Sequence, residues 1–481
     1  MDREAEPGLP IKLNPCSNGE FVPRPSSKVV REARRRARAD SVEHARRLGL
    51  SRRQFLLSSM GAATGLLALN ACAKESGGGR GGAFSVPPEA ATETTAAADA
   101  LGGAELIVDV QTHLLDYEGL AADAVDFGSG FPQAGCGEAD PRRCFSIAHW
   151  AEELFVRSDT TMVVLSAIPV VGEANPLSIE VMQRARDTID ELCGDGRVLM
   201  QGHAVPDVGP VGAALDRMAE IAEAHPIAAW KVYTHTPGGW FLDDHDPEGV
   251  PIGEAFLAQV EALGIPIVAV HKGLSGGSRF ASPVDLGPAA RAHPDLAFVA
   301  YHSGYESGIS EGPFDPAGGG VDRLVRTVSE AGPGPGGNVY AELGTTWRAV
   351  MGAPDEAAHV LGKLLVAVGE DNVLWGTDSI WYGSPQDQIQ AFRAFEISTE
   401  FQDRYGYPAL TPAVKAKVLG GNAARLYGVD AATVSSTCRF DPGDLEAARQ
   451  SSALPNRTYG PVSASQVAST FAREHPWVMG P

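Results

Sequence analysis

Eight short, largely apolar runs recur between residues 105 and 378, separated by segments of helical period. The runs are 105–110, 161–168, 198–205, 227–234, 265–271, 296–302, 338–343 and 372–378. Several are nearly continuous in Val, Ile, Leu and Ala, the pattern of parallel strands buried on both faces. Between them, residues 211–225, 252–263, 321–330 and 356–368 place apolar side chains every three to four positions, as helices covering such a sheet do. Strand–helix alternation repeated eight times predicts an α/β fold of the (β/α)8 TIM-barrel type over residues 105–428. An open doubly wound sheet would carry a glycine-rich turn after its first strand. Here Gln111-Thr112-His113 stands at that place.

Two connections are long, 114–160 and 235–251, and both fall on the C-terminal rim of the predicted barrel, where substrates bind. The second holds Trp240, Phe241, Asp243, Asp244, His245 and Asp246, and reads as a lid. Residues 429–481, rich in Ser, Pro and Ala, predict an irregular extension packed on or beside the barrel.

The first hundred residues break the pattern. Residues 1–50 form a basic extension, and residues 1–53 hold 13 Lys and Arg against 7 Asp and Glu. Ser51-Arg52-Arg53-Gln54-Phe55-Leu56-Leu57 is similar to a twin-arginine export signal. The weakly apolar run after it, to Ala71, is short for a spanning helix, and Leu69-Asn70-Ala71-Cys72 is similar to a lipoprotein cleavage box. The alternative is an anchor helix that is never cleaved. Residues 73–104, with Gly77-Gly78-Gly79-Arg80-Gly81-Gly82 and a Pro/Ala/Thr stretch, predict a flexible linker. The expectation is therefore a disordered N-terminal signal and tether, with the barrel exported to the periplasmic or extracellular face and membrane-tethered through Cys72.

Net charge is −21 over 481 residues, and the basic start makes the remainder more acidic still. An acidic body argues against nucleic acid as a partner. Of six cysteines, Cys136 and Cys144 lie close together in a loop where an exported protein can form a bridge, while Cys193 and Cys438 look unpaired. No CxxC pair exists, which argues against a thiolate zinc site. Nothing in the sequence fixes the oligomeric state, and a homo-oligomer stays open.

The strand ends carry the chemistry. Gln111 and His113 close the first run, two apart and so on one face. Lys231 lies in the fourth, His271 ends the fifth, His302 the sixth, and Asp378 the eighth. Taken singly, each has a structural reading: a satisfied polar residue, a loop-fixing ion pair, or a helix cap. Five such strand ends together point to a metal site on the active face of a barrel.

These residues, with Gly376-Thr377-Asp378-Ser379 and the closing Gly421-Asn422-Ala423-Ala424-Arg425-Leu426-Tyr427, resemble the amidohydrolase superfamily. Within it they resemble the amidohydrolase-related branch that includes aminocarboxymuconate semialdehyde decarboxylase. The resemblance spans roughly residues 105–428. It implies a divalent metal, zinc by expectation, with ligands at Gln111, His113, His271 and Asp378. It implies catalytic roles for Asp378 and His302, and a strand-four lysine, Lys231, that bridges two metals in binuclear members. Gln111 departs from the His-x-His pair of that family, and an amide oxygen is a weaker zinc ligand than imidazole. His113, His271 and Asp378 alone make a three-ligand site with an open position. Trp240 and Trp381 are candidates for the pocket wall.

The first expectation for function is a metal-dependent hydrolase of a C–N or C–O bond in a small molecule. There Asp378 takes the proton of the attacking water, and His302 stabilises the oxyanion or protonates the leaving group. A non-oxidative decarboxylase of an aromatic or unsaturated acid is the alternative, with Lys231, Lys272 and Arg348 as candidates to hold the carboxylate. A non-catalytic tethered binding protein is the third.

Overall fold

The computed structural model describes residues 8–118, 136, 138–172, 175–194, 196–235, 238–245, 251–274, 277–430, 434 and 456–470. Ten strands are present among them. β1 (Gly82–Phe84) pairs antiparallel with β10 (Phe395–Ile397) outside the barrel. The other eight are β2 (Val108–Thr112), β3 (Met162–Leu165), β4 (Val198–His203), β5 (Ala229–Val232), β6 (Ile267–His271), β7 (Ala297–Tyr301), β8 (Val339–Glu342) and β9 (Val373–Leu374). They form one parallel sheet in sequential order. The sheet closes on itself through Val110 N–H to Trp375 O, Asp378 N–H to Gln111 O and the parallel bridge of Thr112 with Ser379. The predicted barrel is therefore observed, each run overlapping one strand, with the first strand reaching two residues past its run to Thr112.

The closing motif is explained by one side chain. The amide nitrogen of Asn422 donates to Glu370 O and Val373 O, both at 2.8 Å, and so ties the helix Asn422–Leu426 to the strand that ends in the site. At Gly420 a Cβ would lie 2.2 Å from Leu106 O, so only glycine lets this turn approach the barrel's first strand.

Residues 8–104 overturn the expectation of disorder. Helices α1 (Lys28–Leu48), α2 (Arg52–Leu56) and α3 (Ser59–Glu75) pack together and join the main core through Ala33, Phe55, Leu66 and Leu69, all fully buried. Ser51, the first residue of the export-like motif, caps α2. Its side chain accepts from Gln54 N–H while the Gln54 side chain accepts from Ser51 N–H. Cys72 is buried in α3. No helix among the described residues is long and apolar enough to cross a membrane.

The predicted flexible linker is ordered as well. Gly79 N–H and Gly81 N–H donate to the Asp355 carboxylate at 3.0 and 2.6 Å. Asn70 exchanges two hydrogen bonds with the backbone of Phe84, and Ala90, Ala97 and Leu101 of the following turn and of α4 (Thr94–Leu101) are buried. A Cβ at Gly81 or Gly82 would stand 2.1 Å from Phe401 or 2.4 Å from Phe395. Those glycines serve close packing against aromatic rings, not flexibility, and composition alone does not distinguish the two.

Cys136 and Cys144 are disulfide-bonded, as the sequence allowed. Cys193, which looked unpaired, is also in a disulfide, and Cys438 lies outside the described residues. Much of residues 429–481 lies outside them too. Within the part described, Tyr459 is buried, its hydroxyl donating to Glu153 at 2.6 Å, and Tyr459 and Gly460 N–H groups donate to Trp381 O. Ser17 N–H donates to Pro461 O, so the C-terminal segment lies across the N-terminal one.

Candidate metal centre

The barrel brings the predicted residues to one point at its C-terminal end. His113 Nε2 lies 3.2 Å from Asp378 Oδ1. The amide nitrogen of Gln111 donates to Asp378 Oδ1 at 3.3 Å and faces His302 Nε2 at 3.4 Å. The rings of His271 and His302 are 4.7 Å apart, edge to face. His113, His271, His302 and Asp378 are each at most 2% exposed.

Each position is held by its local structure. His302 Nδ1 donates to Gly344 O at 2.9 Å, which leaves Nε2 as the lone-pair nitrogen facing the site. Asp378 Oδ2 accepts from Thr345 Oγ1 at 2.6 Å and from Asn18 Nδ2 at 2.8 Å. His302, Ser303, Thr345 and Asp378 all hold positive φ, between 50° and 66°. Left-handed backbone in non-glycine residues is costly and gathers at functional sites. A Cβ at Gly344 would come within 2.3 Å of Gln111 Oε1 and 2.5 Å of Glu342 Oε1, so a larger residue there would displace both side chains.

Burial sets the protonation states. It pushes His271 and His302 down, with the neighbouring His302 ring adding to the effect on His271, so both rings are neutral donors of lone pairs. Burial pushes Asp378 up, but His113, His302 and the Thr345 hydroxyl outweigh it and hold the carboxyl below its ordinary range. Beneath the site Asp109 is driven up to about 7 and Glu342 to about 8, again by burial.

Lys231 is fully buried on β5, its ammonium 3.9 Å from the Tyr301 ring and 4.5 Å from the Tyr233 ring, with no hydrogen-bond partner. Burial lowers it to about 7 against the pull of Glu20, Glu342 and Asp378. Lys272, a candidate for a substrate carboxylate, is already paired with the buried Asp285 at 2.8 Å. Arg348 does line a cavity of about 180 Å³ between the N-terminal segment and the barrel, beside Arg24, Tyr305, Thr345 and Tyr382. Trp381 stacks on His113 with ring centres 6.0 Å apart. Trp240 instead packs on Phe256 inside the core and does not reach the site. Of the predicted lid, Asp246 lies outside the described residues, while Phe241 packs on Phe280 and His245.

Two residues of the site were missed by sequence reasoning. Asn18 and Glu20 reach it from the N-terminal segment: Glu20 Oε1 lies 3.1 Å from His271 Nε2, and Asn18 Nδ2 bridges Glu20 Oε2 at 2.6 Å and Asp378 Oδ2. Their only sequence signal, an Asn-Gly-Glu turn, lies in a stretch that composition marks as an extension.

The residues fit a divalent metal. One ligand atom each of Glu20, His271 and His302 lie within 4.8 Å of one another. His271 has both ring nitrogens and His113 its Nδ1 buried without a hydrogen bond, a cost that buried polar atoms seldom carry without a ligand. The 3.1 and 3.2 Å separations are close to the roughly 3.3–3.6 Å between donors on a tetrahedral ion with bonds of about 2.0–2.2 Å. Nitrogen and carboxylate donors without thiolate suit zinc and its neighbours.

A family profile described as amidohydrolase matches residues 108–429. No curated protein matches the chain. Among solved structures the chain is similar to a 5-carboxyvanillate decarboxylase of Sphingomonas paucimobilis (13% identity, 68% of this chain and 100% of that one, TM-score 0.37). It is similar also to a putative 2-pyrone-4,6-dicarboxylic acid hydrolase of Pseudomonas putida (16%, 68% and 98%, TM-score 0.41). A third is a 2,6-dihydroxybenzoate decarboxylase of Rhizobium (15%, 67% and 98%, TM-score 0.37). Likenesses at this level say nothing of the substrate.

Proposed function

The chain belongs to the amidohydrolase family, and from that premise we propose that it is a metal-dependent hydrolase of a C–N or C–O bond in a small molecule. The observation that carries this is the convergence of His113, His271, His302 and Asp378 at the ends of separate strands, with buried nitrogens left without partners. Zinc, held by His113, His271 and Asp378, is the metal we propose. A metal at this point would polarise a carbonyl and lower the pKa of water towards about 7.

The remaining work falls to the chain's own side chains. Asp378, ionised and oriented by Asn18 and Thr345, accepts the proton of the attacking water. His302, fixed with its proton on Nδ1, accepts at Nε2 rather than donates, so the leaving-group proton returns from Asp378 and not from His302. Gln111 presents its amide nitrogen to Asp378 and His302, and acts as a donor that aligns them rather than as a ligand. The N-terminal segment sets Asn18 against Asp378 and Glu20 against His271.

Decarboxylation is the second reading, favoured by Lys231 and by Arg348, whose Nε is buried without a partner beside the cavity. Purified protein loaded with Zn²⁺ and assayed on lactones, amides and aromatic acids separates the two. Hydrolysis without CO₂ release is expected. CO₂ release without hydrolysis overturns the first reading in favour of the second, and neither activity on a broad panel counts against both.

Export by the twin-arginine route and self-association are further proposals; a lipid tether through Cys72, which requires cleavage before that residue, is the alternative to a chain that keeps its N-terminal segment. Cleavage before Cys72 would remove Asn18 and Glu20 from the site. We therefore propose that the working protein retains residues 8–104. Intact-mass measurement of the protein from its native host tests this, and a mature chain beginning at Cys72 overturns it.

A further inference from the structure

The metal reading above leaves a buried dication with one carboxylate, Asp378. Two neutral imidazoles and one carboxylate on a divalent ion leave a net positive charge among side chains that are almost fully buried, which is costly. The first strand does not relieve it, because Gln111 is neutral and turns its amide nitrogen inward.

The N-terminal segment holds a second carboxylate at the same point. Asn18-Gly19-Glu20 forms a tight turn, with Gly19 at φ 103° and Glu20 N–H donating to Asn18 Oδ1 at 3.0 Å. The turn is pinned on both sides. Lys12, 3% exposed, contacts Asp387 at 3.3 Å and donates to Tyr382 O, while Arg24 pairs with Glu356 at 3.1 Å. Glu20 Oε1 then faces His271 Nε2 at 3.1 Å, yet that nitrogen makes no aligned hydrogen bond and neither does Nδ1. One ligand atom each of Glu20, His271 and His302 lie within 4.8 Å of one another, a spacing that a single ion between them can span. His271 is 1% exposed, so its nitrogens are shielded from bulk solvent.

Resting on the metal reading, we propose that Glu20 is itself a ligand of the metal, supplied by the N-terminal segment and standing in for the ligand the first strand lacks at Gln111. The site is then built from a barrel and a strap that closes it, and metal binding and docking of the strap stabilise each other.

Zn²⁺ affinity by chelator competition, with Zn²⁺ per chain by elemental analysis, tests this on the full chain. Glu20→Gln, at a partly exposed position, should fold normally and hold Zn²⁺ about 10- to 100-fold more weakly, the scale known for groups that only support a ligand being the lower bound. Glu20→Asp, which keeps the charge but withdraws it by one methylene, should fall between the two and serves if the first variant does not fold. Wild-type protein that holds Zn²⁺ no more tightly than Glu20→Gln and Glu20→Asp overturns this inference and leaves the metal reading standing. Wild-type protein that binds no metal overturns both.

Discussion

Asp378 Oδ2 accepts hydrogen bonds from Asn18 and from Thr345 at once, at 2.8 and 2.6 Å. The carboxylate at the end of the last strand is thus gripped by a residue of the barrel and by one from near the start of the chain. Its backbone sits at φ 56°, a conformation that Asn and Asp tolerate better than other side chains. Asp378→Asn therefore preserves the backbone while removing the proton acceptor. Turnover should fall by about 10²–10⁴-fold, the usual worth of a general base, with the thermal midpoint shifted by only a few degrees. Steady-state kinetics beside a melting curve check this, and near-wild-type turnover would remove Asp378 from its role.

Gln111 donates to the same carboxylate from the other side, at 3.3 Å. Gln111→Glu places a second negative charge there. The metal-free protein should lose stability through like-charge repulsion, whereas Zn²⁺ should raise its melting temperature by more than it raises that of the wild type. Combined with Glu20→Gln, the same change should restore Zn²⁺ affinity. A double variant that binds no better than Glu20→Gln alone would show that the two positions do not substitute for one another.

Lys12 and Asp387 are both essentially buried and paired at 3.3 Å. Removing one partner leaves the other charged and dry, at a cost of about 3–5 kcal/mol. Lys12→Met should loosen the N-terminal segment, so that limited proteolysis cuts first within residues 8–27 and Zn²⁺ affinity falls with it. Unchanged protease resistance together with unchanged affinity would mean that the segment docks without this anchor.

His359 offers a pH test away from the metal. Burial lowers it to about 4, and its Nδ1 meets the Tyr407 hydroxyl at 3.0 Å. An unfolded histidine titrates near 6.5. Between these values the unfolded chain binds a proton that the folded protein refuses, so stability is fully present above about pH 6.5 and is lost as pH falls towards 4. The loss assigned to this group is on the order of 2–3 kcal/mol. Denaturant unfolding at pH 7.5 and pH 4.5, with His359→Gln as the comparison, should show a smaller drop in the variant. Equal drops would remove His359 as the cause.

The barrel and half of the site were legible without coordinates because both are local patterns. Apolar runs of strand length alternating with helical periods specify the eight strands, and a polar residue at the end of an apolar run lands on the active face by the geometry of the fold. His113, His271, His302 and Asp378 follow from that rule. Trp240 does not, because a residue in a long rim loop is free to turn into the core, and it packs on Phe256.

The N-terminal hundred residues escaped for the opposite reason. Glycine and alanine read as flexible, and an arginine pair before a weakly apolar run reads as an address. Yet Gly81 and Gly82 are small because phenylalanine rings lie against them, and Ser51 is the cap of a packed helix. By itself the sequence determined the barrel and the order of its strand-end chemistry, since these depend on neighbours along the chain. Only the tertiary structure decided that Asn18 and Glu20 lie against the strand-end residues. Their contacts with Asp378 and His271 join distant parts of the chain through packing and buried charge, and no periodicity of the sequence records that pairing.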